Sequence, residues 1–110
     1  MTVTAVLGEL LSGDVVNTAD VARALGTGAR SVNRWATAET SPRRDSEERL
    51  LELKAIVDLL GSVMKEDAAR LWLRSPNPDL TWRKPLDVVA EGDYRAVVGV
   101  ILAIAEGVTA

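Results

Sequence analysis

What this chain lacks narrows its chemistry at once: none of its 110 residues is histidine or cysteine. Imidazole is the commonest general base and metal ligand, and the thiolate is a ready nucleophile, so histidine dyads, cysteine cages and disulfides are excluded together. Catalysis would be left to the single Tyr94 with carboxylates such as Asp87 and Asp93, and no spacing among these marks a site beyond chance. The chain therefore reads as a non-enzyme with no cofactor and no metal. Its lack of cysteine also suits a reducing compartment.

The residues equipped for recognition fall into two groups. Arg30, Ser31, Asn33 and Arg34 lie within five positions, offering guanidinium forks for guanine edges or phosphates, an amide for adenine and a hydroxyl for the backbone. Thr27, Arg43 and Arg44 are placed to hold flanking phosphates. The plain alternative is a solvated helical face. The charge balance bears on this choice: residues 1–44 carry five arginines against four acidic side chains, a net of +1, whereas residues 45–110 carry eight basic and twelve acidic, a net of −4. A polyanion would meet the front half. A net of +1 releases few counterions, so useful DNA occupancy calls for a dimer or larger assembly.

The second group is a proline-rich corner, Leu71-Trp72-Leu73-Arg74-Ser75-Pro76-Asn77-Pro78-Asp79-Leu80, followed by Lys84-Pro85-Leu86-Asp87 and Gly92-Asp93-Tyr94. Between Tyr94 and Ala105 only Arg95 is charged, while Val97, Val98, Val100, Ile101, Leu102 and Ile104 cover most of a helix circumference. A helix apolar all round must be buried all round. Either it is the centre of the chain's own core, or part of it meets another protein or a second copy.

Periodicity supplies the elements that position these groups. Val3, Val6, Leu7, Leu10 and Leu11 predict a first short helix, stopped by Ser12-Gly13-Asp14. Thr18 is the expected cap of a second, whose stripe Val21, Ala22 and Leu25 ends at Gly26. After Gly26-Thr27-Gly28 a third helix turns Val32 and Trp35 inward and its polar residues outward, the layout of a helix-turn-helix with Trp35 as its core anchor. A long helix follows to about Met64, starting at Ser41-Pro42 or at Asp45-Ser46. Asp45 and Glu48 resemble a capping box, and the 3-4-3-4 stripe Leu50, Leu53, Val57, Leu60, Met64 is widened by Leu51, Ile56 and Leu59. A short helix from Lys65-Glu66-Asp67 to Leu73 precedes an extended corner at Ser75–Pro78. Pro85–Glu91 and Tyr94–Glu106 are the last two helices, with Asp93 as the cap of the second. No strand and no repeat is legible. No apolar run approaches the roughly 18 residues of a membrane span, and Met1–Ala5 has no basic leader, so the reading is cytoplasmic, with no membrane partner.

The string Thr18-Ala19-Asp20-Val21-Ala22-Arg23-Ala24-Leu25-Gly26, with Trp35 nine residues on, resembles the Xre family of helix-turn-helix proteins. The ordered words from Leu71 to Tyr94 resemble the C-terminal toxin-binding domain of the Xre/MbcA/ParS antitoxins, over about residues 65–107. The fold implied is all-α. Residues 1–42 would be a helix-turn-helix DNA-binding region, 43–64 a connecting and dimerising helix, and 65–110 a small toxin-binding domain.

The function implied is that of a type II antitoxin. It would occlude the active site of a RES-domain, NAD-consuming toxin and repress its own operon, as a homodimer or a hetero-oligomer with the toxin on operator DNA. The residues implied for the toxin are Trp72, Arg74, Ser75, Asn77, Trp82, Lys84 and the end Glu106-Gly107-Val108-Thr109-Ala110. Trp72, Pro76, Leu80, Pro85 and Leu86 serve equally as fasteners of the fold. The tail is short and uncharged for such a plug, so it would act by packing and its terminal carboxylate. The competing reading is a free-standing Xre-type repressor whose back half only dimerises.

Overall fold

The computed structural model describes residues 2–107. Among them the chain forms seven α-helices: α1 (Val3–Ser12), α2 (Thr18–Leu25), α3 (Ala29–Ala36), α4 (Arg44–Gly61), α5 (Glu66–Arg74), α6 (Pro85–Ala90) and α7 (Tyr94–Ala105). A single 3-10 turn, Pro78–Leu80, precedes α6, and the only strand-like feature in the described residues is an isolated bridge between Asn77 and Arg83. The chain is all-α, as its periodicity predicts.

The long helix α4 is the spine. Leu50, Leu53, Ile56 and Leu60 on it are fully buried, and it packs against α1, α2, α5, α6 and α7. Around it closes one continuous core that takes Leu7 from α1, Val21 and Leu25 from α2, Val32 and Trp35 from α3, Leu73 from α5, Leu86 and Val88 from α6 and Ile101 from α7. The flanking position Ile56 is buried more deeply than Val57 and Met64 of the expected stripe, because neighbours surround α4 on several sides and leave those two half-buried.

The caps correct the sequence reading in three places. Asn17 caps α2, and Thr18 is its first residue: the Asn17 side chain accepts from the Asp20 amide, and the Asp20 carboxylate accepts from the Asn17 amide, each at 2.9 Å. Only this register puts the carboxylate three residues past the cap, where it can reach back. The expected box at Asp45 does not form. Arg43 is the cap without a side-chain bond, and Asp45 and Glu47 sit in the first turn, beside the positive end of the helix dipole. Finally, α4 stops at Gly61, three residues early. The amides of Ser62, Val63 and Met64 still donate to the carbonyls of Leu59 and Leu60, so the chain leaves the helix in a tightened turn.

The corner after α5 is extended at Ser75 and Asn77, as expected, but only briefly before the 3-10 turn that begins at Pro78. Asn77 gathers it into a compact turn, described below. Of the two readings open for the last helix, the one that makes it the centre of the core is not met: of α7, only Val97 and Ile101 are buried, while Leu102 is 44% exposed and Val98, Val100 and Ile104 are half-buried. It lies on α4 and α6 along one side and is not the centre of the core.

Candidate functional site

On the front face, α2 and α3 are joined across Gly26–Gly28. Gly26 takes a left-handed φ of +67°, donating its amide back to the last turn of α2, and a side chain there would be strained. Val32 and Trp35 anchor α3 inward, and the Thr4 hydroxyl of α1 donates to the Trp35 carbonyl at 3.2 Å. That orientation leaves Arg30, Asn33 and Arg34 exposed, Ser31 and Thr27 half-buried beside them, and Arg43 and Arg44 exposed where α4 begins.

The four front arginines, Arg30, Arg34, Arg43 and Arg44, form no ion pair among the described residues. Arg23, Arg49, Lys54, Arg74 and Arg83 all do. Exposed guanidinium groups with no partner among the described residues are what a phosphate-bearing partner requires. Of the residues the sequence assigns to DNA, Arg30, Asn33, Arg34, Arg43 and Arg44 are thus exposed, and Thr27 and Ser31 are half-buried.

Behind that face, α2 is tied to the C-terminal half by polar contacts across its length. Asp20 is buried yet satisfied: besides its capping role it receives a two-pronged bond from Arg74 of α5, with Nε at 2.9 Å from Oδ1. The guanidinium of Arg74 is held above its ordinary range chiefly by that hydrogen bond to Asp20. One turn on, Arg23 forks onto Asp87 of α6, with Nη2 at 3.0 Å from Oδ2. This bond and its charge hold the Asp87 carboxyl below the usual carboxylate range and raise Arg23. The loop before α2 is pinned at Asp14, whose amide donates to Glu66 at 3.1 Å and whose carbonyl accepts from Arg70 at 2.6 Å. A cavity of about 200 Å³ lined by Asp20, Arg23, Arg74, Lys84 and Leu86 lies at this seam.

The corner between α5 and α6 is built on Asn77. Its Oδ1 accepts from the Asp79 amide at 2.9 Å, its carbonyl accepts from the amides of Leu80 and Trp82, and its own amide donates to the Arg83 carbonyl. The Ser75 hydroxyl donates to the Leu71 carbonyl at 2.6 Å. Arg83 pairs with Glu91 across to the end of α6. Closing so tight a turn forces two consecutive non-glycine residues left-handed, Thr81 at φ +55° and Trp82 at +64°. Such conformations cost of order 1 kcal/mol or more each. Their result is display: Trp82 stands 70% exposed.

Of the residues the sequence assigns to a toxin, Arg74, Ser75 and Asn77 thus have polar atoms engaged inside the chain, and Trp72 is half-buried against the core. Lys84 caps α6 at the edge of the seam cavity. Trp82 and Glu106 face outward, and Gly107 turns left-handed at φ +75°. Val108, Thr109 and Ala110 lie outside the described residues. One displayed residue escaped the sequence reading, Leu71, which is 69% exposed. Its signal was its register, since it falls off the inward stripe of Ala69 and Leu73.

These features define a class: a small all-helical protein with a helix-turn-helix-shaped front fastened to a back half that displays apolar side chains. Residues 53–107 match the antitoxin Xre/MbcA/ParS C-terminal toxin-binding domain, and the chain belongs to this antitoxin family. It is 44% identical to the mycobacterial cidal antitoxin MbcA of Mycobacterium bovis over 79 residues, 72% of this chain and 70% of that one, and equally to MbcA of Mycobacterium tuberculosis. Its fold superposes with a TM-score of 0.84 on a chain of the crystal structure of the M. tuberculosis MbcT-MbcA toxin-antitoxin complex, at 34% identity, covering 97% of this chain and 96% of the other.

Proposed function

We propose that this protein neutralises a RES-domain, NAD-consuming toxin by docking its C-terminal half over the toxin's active-site cleft, and that it represses its own operon in the cytoplasm through the α2–α3 pair. In this reading residues 1–42 meet operator DNA through Thr27, Arg30, Ser31, Asn33, Arg34, Arg43 and Arg44. Residues 43–64 link the halves, and residues 65–110 meet the toxin. The observation that carries it is the family match over residues 53–107, together with a strained turn in that segment that holds Trp82 in solvent. A bulky residue in the left-handed region next to an exposed apolar surface is the signature of a contact kept at the expense of stability. Tryptophan is among the residues that most often dominate binding energy once a partner covers them.

The test is inhibition of the toxin's NAD consumption by the purified chain. Wild type is expected to abolish it at equimolar ratio. Trp82→Gly should keep or raise the melting temperature, because glycine accepts the left-handed conformation, yet weaken toxin capture by about 100-fold, or roughly 3 kcal/mol. Deleting Gly107–Ala110 should weaken neutralisation and leave DNA binding intact. Unchanged NAD turnover in the presence of wild type overturns the reading.

A further inference from the structure

The outward face of α7 carries a pattern of which the toxin reading singles out Glu106 alone. With Val97 and Ile101 turned to the core, the opposite stripe is Arg95, Gly99, Leu102 and Glu106, all exposed. Three features of it are unexplained within one copy. Gly99 sits in mid-helix, where glycine weakens a helix, and a Cβ built there would meet nothing within 4 Å. Leu102, three residues on, leaves 44% of its surface in water. Arg95 lies by the positive end of its own helix dipole and Glu106 by the negative end, each the unfavourable choice, and neither forms an ion pair among the described residues.

All three are resolved by the stripe's symmetry. The midpoint between residues 95 and 106 is also the midpoint between 99 and 102, falling between Val100 and Ile101. We propose that α7 pairs antiparallel with α7 of a second copy about a two-fold axis at that midpoint. Arg95 then faces Glu106 of the second copy, twice over. Leu102 fills the hollow that Gly99 leaves on the second copy, and the same close approach brings Val98 level with Ala103. Each misplaced charge comes to lie by the favourable end of the other helix's dipole. A face that complements itself under two-fold rotation is what an isologous dimer requires. A helix of 12 residues spans about 18 Å, so the contact is smaller than the roughly 800 Å² per partner of a standard interface, and a dimer dissociating on the order of micromolar follows. The inference concerns the chain alone and stands apart from what covers Trp82.

Sedimentation equilibrium of the full chain without toxin tests it, from about 1 µM to about 1 mM, the range spanning the expected affinity. Wild type should fit a monomer–dimer equilibrium that weakens with salt. Arg95→Glu and Glu106→Arg should each weaken the dimer at least about tenfold, and the double variant should recover most of that loss, since the pairs are restored with signs exchanged. Melting temperatures separate this from misfolding: each reversal puts a charge at the favourable end of its own helix, so the single variants should melt no lower than wild type. Gly99→Leu should melt higher and dimerise at least about tenfold more weakly, opposite signs that a purely local role for glycine cannot give. A monomer at every concentration overturns the pairing, as does a double variant no tighter than the singles. If Arg95→Glu instead weakens toxin capture while the chain alone stays monomeric, the face belongs to the toxin; the pairing then fails and the antitoxin reading stands.

Discussion

Helices α2 and α7 both pack on α4 and α6, yet their surfaces are spent in opposite ways. Five of the eight residues of α2 are buried, and its two charged side chains, Asp20 and Arg23, are both paired to distant elements. Only two of the twelve residues of α7 are buried, and its one charged residue has no partner in the described chain. The contrast separates surface committed to the fold from surface left available. A helix whose charged groups are paired within the chain holds its neighbour α3 in place, whereas one with an apolar, unpaired outer face leaves that face open to another molecule.

The sharpest way to break this contrast is at Asp20. Asp20→Ala removes a cap and leaves Arg74 at the seam without its acceptor, so a loss of roughly 2–3 kcal/mol in urea unfolding is expected. A loss below about 0.5 kcal/mol, the usual ceiling for unremarkable surface changes, would show that α2 is no better fastened than α7. Next in size, Arg30→Ala and Arg34→Ala should each weaken operator binding by about 1 kcal/mol and flatten its salt dependence, with melting temperature and toxin capture unchanged, as read by fluorescence anisotropy. The smallest effect sharpens the comparison through pH. Because Arg23 holds the Asp87 carboxyl below its unfolded value near 3.9, the pair stabilises above about pH 4, and this contribution is lost as pH falls through the lowered folded value. Asp87→Asn should therefore cost about 0.5 kcal/mol at pH 7, a modest figure because both partners are partly exposed, and progressively less as pH falls below about 4.

The helices were legible because their signals are local: Gly26, Gly92 and Pro85 sit where the chain must turn or start, and the apolar stripes carry a 3.6 period. What could not be read was fixed by partners far along the chain. Arg74 looked like a free cation suited to a toxin, but Asp20, 54 residues earlier, claims it, and Asp87 is claimed from 64 residues away by Arg23. The Asn77 turn was hidden for another reason: its left-handed residues are threonine and tryptophan, and neither advertises that conformation as glycine would. The sequence left two readings of α7 open because composition reports how apolar a helix is, and only packing reports how much of it finds cover.

The seam between α2 and the pair α5–α6 carries one more consequence. Residues 37–43 connect the two halves through an exposed stretch, while Val21 and Leu25, the two ion pairs and the pins at Asp14 join them without the covalent chain. A protease that cuts there severs a tether and leaves the joint intact, so the pieces stay married. Supplied as two separate polypeptides, they would find each other and rebuild the same body by fragment complementation.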